Sequence, residues 1–153
     1  MRAVWIMCCW IVSLGCAVAS GPAAGRVIKL LPFVLDMQGR DSISPSLFDR
    51  DAYQLYLRQH PQNISAIRLD VQWKAAKAPD EKLKIRVEVR GVSHDGSPTL
   101  KTFESPVVAG IFSHWSKFNL SGGAYHQFGS LVAWRATLWN GEELLGEQKS
   151  FLW

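Results

Sequence analysis

Histidine is the side chain best suited to acid-base or metal chemistry near neutral pH, and the chain has four of them, His60, His94, His114 and His126. None shares with another the close spacing that places two metal ligands on one helix face or strand face, and no HExxH motif is present. A His114/His126 pair is the one metal site left open. The sequence otherwise predicts surface histidines in loops, no metal and no cofactor.

Nucleophilic catalysis is not indicated by the other residue types. No GxSxG elbow occurs, and Gly122-Gly123 has no following lysine of the kind that cradles phosphate. The three cysteines, Cys8, Cys9 and Cys16, all lie in an apolar N-terminal stretch. We therefore expect no catalytic residue and a protein that is not an enzyme, with an unrecognised active site as the alternative.

Tryptophan is the better indicator of binding, because a large rigid ring gives much contact area at small entropic cost. Trp73 and Trp134 are in phase with apolar strand positions and are predicted in the core. Trp115 and Trp139 fall in or near predicted turns, and His114 precedes the first of them. Trp115, Trp139 and His114 are the candidate contacts for a ligand or partner.

The N-terminus resembles a secretory signal peptide. Arg2 precedes an apolar run to Val18, and the small residues Ala17-Val18-Ala19 predict cleavage before Ser20. We expect residues 1–19 to be the signal peptide, 20–26 a flexible leader and 27–153 a single exported domain without cysteine. Lipidation at Cys16 and an uncleaved anchor are the alternatives.

Charge excludes one class of partner. The formal net charge is +4, and loss of Arg2 would leave +3, with acidic and basic residues interspersed. No basic stripe is present, so no nucleic-acid partner is predicted.

One substantial helix is predicted. Ser44-Pro45 has the composition of a helix start, and His60-Pro61 stops the segment. Phe48, Ala52, Leu55 and Tyr56 recur at helical spacing and are expected to lie over one sheet edge or to cap one end of the core. The charged residues Asp49, Arg50, Asp51 and Arg58 are expected to face water.

Strands make up the rest. Val27 to Met37 contains Pro32 and is predicted as an edge strand. Ile64 to Ala75 and Lys82 to Val92 alternate apolar and polar residues, and the connection at 76–81 predicts that they pair antiparallel. Further strands are expected at 99–104, around 107–112 and at 115–120, with one helical turn at 124–128. About seven strands and one short helix predict an antiparallel β-sandwich, immunoglobulin-like or related.

Asn140-Gly141 between alternating runs predicts a closing hairpin over 130–153. Its turn has either two residues or three, and side-chain sorting favours three. In that register Trp134 lies opposite Gly146, and the even-numbered face is core.

Three stretches resemble small exported bacterial proteins of unassigned function, namely 45–53, 69–74 and 134–153. The resemblance implies export and a single domain, and it implies no activity.

The chain is therefore expected to be an exported, non-catalytic binding or structural accessory module whose partner is a protein or a polysaccharide. A carbohydrate-binding module that uses exposed tryptophan is one alternative. A small outer-membrane β-barrel is the other, because the chain ends on Trp153 with Phe151 in phase. Glu147 and Lys149 share that phase, and their charges argue against membrane association after signal cleavage. The acceptor patterns at Asn63 and Asn119 have meaning only if the chain meets a glycosylating secretory route.

Overall fold

The computed structural model describes residues 24–76 and 82–153, which form seven strands and two helices. The predicted signal peptide, most of the leader and most of the connection at 76–81 lie outside the described residues. In chain order the elements are β1 (Gly25–Asp36), α1 (Leu47–Gln59), β2 (Ile64–Ala75), β3 (Leu83–Val92), β4 (Pro98–Pro106), β5 (His114–Ser121), α2 (Gly122–Phe128), β6 (Ser130–Asn140) and β7 (Glu143–Lys149). A short 3₁₀ turn, Pro61–Asn63, links α1 to β2.

The strands form two antiparallel sheets, so the predicted β-sandwich of about seven strands is confirmed. One sheet has the order β1-β2-β5 and the other has the order β4-β3-β6-β7. Strand β1 is at an edge, as its proline predicts. The inward residues of both sheets build the core, whose fully buried members are Trp73, Leu69, Val71, Ile85, Val87, Val89 and Leu138.

The prediction that β2 pairs with β3 is wrong. β2 pairs with β1 and β5, whereas β3 pairs with β4 and β6. The alternation of each strand was read correctly, because each has one core-facing side. Alternation says which face is buried, but it does not say whether two such faces lie side by side in one sheet or opposite each other in two.

Two smaller predictions have different outcomes. No strand forms at 107–112, where the chain makes an irregular connection between β4 and β5. The single helical turn expected at 124–128 is part of the longer α2, which Gly129 ends with a φ of 77°.

The closing hairpin exists, but both predicted registers are wrong. Asn140 pairs with Glu143 around Gly141, and a bulge between Leu138 and Trp139 shifts the remaining pairs. Gly146 consequently lies opposite Leu138 and not opposite Trp134. A Cβ on Gly146 would be 2.7 Å from the Cα atom of Arg26, so this glycine lets β7 approach the backbone of β1. On the even-numbered face of β6, Ala136 and Leu138 are core as expected. Trp134 is only half-buried against that core, and Val132 is exposed, so the prediction holds for part of the face.

Helix α1 forms and ends before His60 as predicted, but the apolar stripe that was expected to pack is exposed. Asp51 and Arg58 face water as expected, whereas Asp49 and Arg50 are half-buried. Phe48 and Leu55 are exposed, whereas Gln54 and Leu57 are buried. Ser46 caps the helix, since its hydroxyl accepts a hydrogen bond from the Asp49 amide. The helix turns its polar glutamine inward because β1 offers unpaired backbone groups there.

Candidate functional site

Trp115 lies on the outer face of the three-stranded sheet, and its side chain is 45% exposed. Strand β5 places it opposite Gln72, and Lys29 of β1 holds its Nζ 5.4 Å from the ring centroid. The indole is therefore part of a flat outer surface and does not line a concavity.

His114 is adjacent in sequence but is only half-exposed, contrary to the expected surface position. Its ring stacks on Trp73 with centroids 5.2 Å apart, and its Nε2 is buried without a hydrogen-bond partner among the described residues. Trp73 donates its Nε1 proton to Ser116 at 2.9 Å. His114 thus packs at the end of the core beside Trp73.

Trp139 is the next-to-last residue of β6 and pairs with Leu144 beside the hairpin turn. Its Nε1 donates to the Thr137 hydroxyl at 2.8 Å, and Arg86 lies over the ring at 5.7 Å. These contacts place it on the outer face of the four-stranded sheet. The structure therefore does not bring Trp115, Trp139 and His114 together into one site.

A concave site occurs elsewhere, where the two sheets separate. At one end β1 lies close to β7, since Gly25 lies against Leu145, and Arg26 lies against Gly146. Strand β7 ends at Lys149, so further along the gap the middle of β1 faces the start of β6 across open space. We call this space, of about 370 Å³, the open-edge cleft.

The walls of the open-edge cleft are mainly apolar. Pro32 and Val34 lie on the core-facing side of β1, because they pair with Leu69 and Ile67. The apolar lining consists of Pro32, Phe33, Val34, Pro61, Ile64, Ile67, Leu131, Val132 and Trp134. A volume near the lower end of the roughly 300–1,000 Å³ usual for small-molecule sites, with apolar walls, is typical of a binding pocket.

Four residues with polar side chains also line the cleft, namely Arg58, His94, Tyr125 and Ser130. Arg58 and His94 are exposed at its surface, and Tyr125 is half-buried within it. Burial raises the pKa of the Tyr125 phenol. No acidic residue belongs to the described lining, and Arg58 forms no ion pair with any described residue. Asp95, next to His94, is directed into its own turn by the Ser93 hydroxyl and the Ser97 amide.

Gln54 of α1 fixes one rim of the cleft. Its carboxamide oxygen accepts from the Val34 amide at 2.9 Å, and its nitrogen donates to the carbonyls of Val34 and Asp41 at 2.8 and 2.9 Å. The side chain therefore makes the bonds that a neighbouring strand would make with β1.

Asp36 anchors the same helix. It accepts hydrogen bonds from the Tyr53 hydroxyl, the Arg40 side chain and the Arg40 and Gln38 amides, each at 2.8 Å. Burial alone would raise the pKa of Asp36, but these donors stabilise the carboxylate and lower the pKa to about 2. The helix is thus tied to the end of β1 beside the cleft.

Sequence reasoning missed the cleft. Pro32 inside a strand was the available signal, because it marks an edge whose far side has no strand neighbour. The facing residues 129–134 carried no comparable signal, since an early end of β7 is what exposes them.

Within the described residues no group of three or more histidine, cysteine, aspartate or glutamate side chains could hold a metal ion. No helix in this part of the chain has the length and hydropathy needed to cross a bilayer. Comparison with protein-family models, with curated proteins and with solved structures finds no match to this chain.

Proposed function

We propose that the chain is an exported, non-catalytic binding module that holds an apolar group in the open-edge cleft. The observation that carries this proposal is a space of about 370 Å³ with apolar walls, kept open between two strands at the side of the sandwich. Filling such a space with an apolar ligand removes the exposed walls from water, which is the main source of affinity in sites of this kind. The leader and its predicted cleavage support export.

The cleft can be tested with a neutral fluorescent probe, N-phenyl-1-naphthylamine. We expect a saturable rise in its fluorescence with the purified protein. Leu131→Trp, which adds bulk to the wall, should weaken binding at least fivefold. Leu100→Trp on β4 is the matched control, because Leu100 is exposed and lies away from the cleft.

Val34→Phe gives a second filled cleft should Leu131→Trp disturb the fold, and circular dichroism checks both variants. Equal probe binding by the filled and control variants would contradict the proposal. So would hydrolytic turnover of an ester in the cleft that one substitution, such as Tyr125→Phe, abolishes, because the module would then be an enzyme.

A carbohydrate platform at Trp115 is the second candidate function, favoured by the exposure of this indole beside Gln72. Retention on an insoluble polysaccharide that Trp115→Ala abolishes and Trp139→Ala leaves intact would support it. Retention that neither substitution changes would not.

A further inference from the structure

Two positions beside the open-edge cleft, Val34 and Trp134, have their outward backbone groups occupied. Pro32 has no N–H group, and both backbone groups of Val34 are bonded to Gln54. Across the cleft the Trp134 amide donates to the Ser150 hydroxyl at 3.0 Å, and the Trp134 carbonyl accepts from the Ser150 amide at 2.9 Å. At each of these positions the wall offers a side chain but little backbone hydrogen bonding.

These occupied backbone groups limit the class of ligand that can bind in the cleft. A peptide that added itself as a strand would need donors and acceptors along the rim, and buried backbone groups left unpaired are costly. A hydrocarbon tail has no polar groups to satisfy and gains from contact with Pro32, Val34, Ile67 and Leu131. The walls therefore favour an aliphatic chain over a polypeptide segment.

The charge around the cleft selects the other end of the ligand. Arg58 lies in the last turn of α1 and borders the cleft without an ion-pair partner among the described residues. His94 lies on the lining from the turn between β3 and β4, and no hydrogen bond joins its ring to another described residue. A guanidinium with free donors binds carboxylate or phosphate oxygens well.

From these observations we infer that the open-edge cleft binds a single-chain anionic amphiphile, with its acyl chain against the apolar walls and its head group at Arg58. This inference rests on the proposed function, because it names the ligand class of the same cleft. A free fatty acid and a monoacyl phospholipid share this chemistry.

Displacement of the bound neutral probe tests the apolar binding site and the preference for an anionic head group separately. Dodecanoate, dodecyltrimethylammonium and dodecyl maltoside carry the same chain with negative, positive and neutral heads, and each is used below its micelle concentration. We expect dodecanoate to displace the probe at a concentration at least tenfold lower than the cation. Failure of the probe to bind at all contradicts the proposed function, whereas probe binding with no preference for the anion overturns only the inference.

Arg58→Gln should reduce the preference for dodecanoate over the cation at least fivefold, and Arg58→Lys should retain most of the preference. Arg26→Gln is the matched control, since Arg26 is exposed at the end of β1 that lies against β7. An equal loss in Arg26→Gln overturns the inference, because the effect would then come from net charge.

Lauroyl lysophosphatidylglycerol distinguishes the sources. Tighter displacement by this lipid than by dodecanoate supports a phospholipid source, and the reverse order supports a free fatty acid. Binding to diacyl phosphatidylglycerol vesicles without displacement of the probe by either single-chain anion overturns the inference, since a membrane surface would then be the ligand.

Discussion

Strand β1 meets the other sheet in two different ways along its length. At Gly25 to Val27 it lies against Leu145 and Gly146 of β7, and there is no room for another side chain between them. At Pro32 to Val34 the same strand faces Leu131 and Trp134 across the open-edge cleft. One end of the gap is closed by backbone contact, and the other stays open.

The difference between these ends comes from how each free edge is satisfied. The closed end needs a glycine, because only Gly146 lets two backbones approach so nearly. The open end needs a substitute for a strand, which Gln54 and Ser150 provide with side-chain and backbone hydrogen bonds. The closed end is therefore filled by backbone contact, and the open end remains available to a ligand.

The largest effect on stability is expected from a larger side chain at the closed end of the gap, where β1 contacts β7. Gly146→Val would place side-chain atoms against Arg26 and Val27, where a Cβ alone is already 2.7 and 3.0 Å from their backbone atoms. We expect a loss of about 3 kcal/mol in the free energy of unfolding, measured by urea denaturation. Gly123→Val is the control for added volume, because a Cβ on Gly123 meets nothing within 4 Å. Equal destabilisation by both would remove the special role of Gly146.

A smaller effect is expected at the open end. Gln54→Ala leaves the amide and carbonyl of Val34 without their partner and should cost about 2 kcal/mol of unfolding free energy. Gln59→Ala on the same helix is exposed and should change it by less than about 0.5 kcal/mol. Denaturation midpoints test the pair, and indistinguishable values would show that water replaces Gln54 at the edge.

The smallest expected effect is a loss of stability at low pH through protonation of Asp36. The pKa of Asp36 is lowered from 3.8 to about 2 in the folded chain, so its stabilisation is complete above the ordinary value and is lost as pH falls through about 4 toward 2. Asp36→Asn removes this dependence. We expect the stability difference between the two proteins to shrink as the pH is lowered from 6 to 2.5, as measured by urea midpoints. A constant difference would mean that Asp36 does not titrate with a lowered pKa.

The β-sandwich could be predicted because apolar and polar residues alternate in β2 and in β3, which indicates that each strand has one buried face. Their assignment to different sheets could not be predicted in this way. It depends on long-range pairing, in which β2 lies between β1 and β5, and β3 lies between β4 and β6. Local alternation carries no information on which partner lies beside a strand.

For helix α1 the position could be predicted from the sequence, but the buried face could not. Ser44-Pro45 and His60-Pro61 predict its position, and the helix begins two residues later than expected, at Leu47 after the cap Ser46. The predicted buried side is wrong, because apolar spacing indicates Phe48 and Leu55 and both are exposed. The buried residue Gln54 compensates an unpaired strand edge, and that need exists only in the assembled fold. Trp139 lies near the turn as predicted, but a bulge beside it places the turn between Asn140 and Glu143.

The contact of β1 with β7 also bears on how the chain folds. Arg26 and Gly146 are separated by nearly the whole domain, and most contacts of β1 with the other sheet are made with β7. Long loops must be ordered before such contacts form, which slows folding. We expect the ladder of β3 and β6 to be able to form before β1 reaches β7, so that docking of the first strand against the last completes the core. In a chain that stops before β7, the Gly25 to Val27 part of β1 would then have no backbone of the other sheet to pack against.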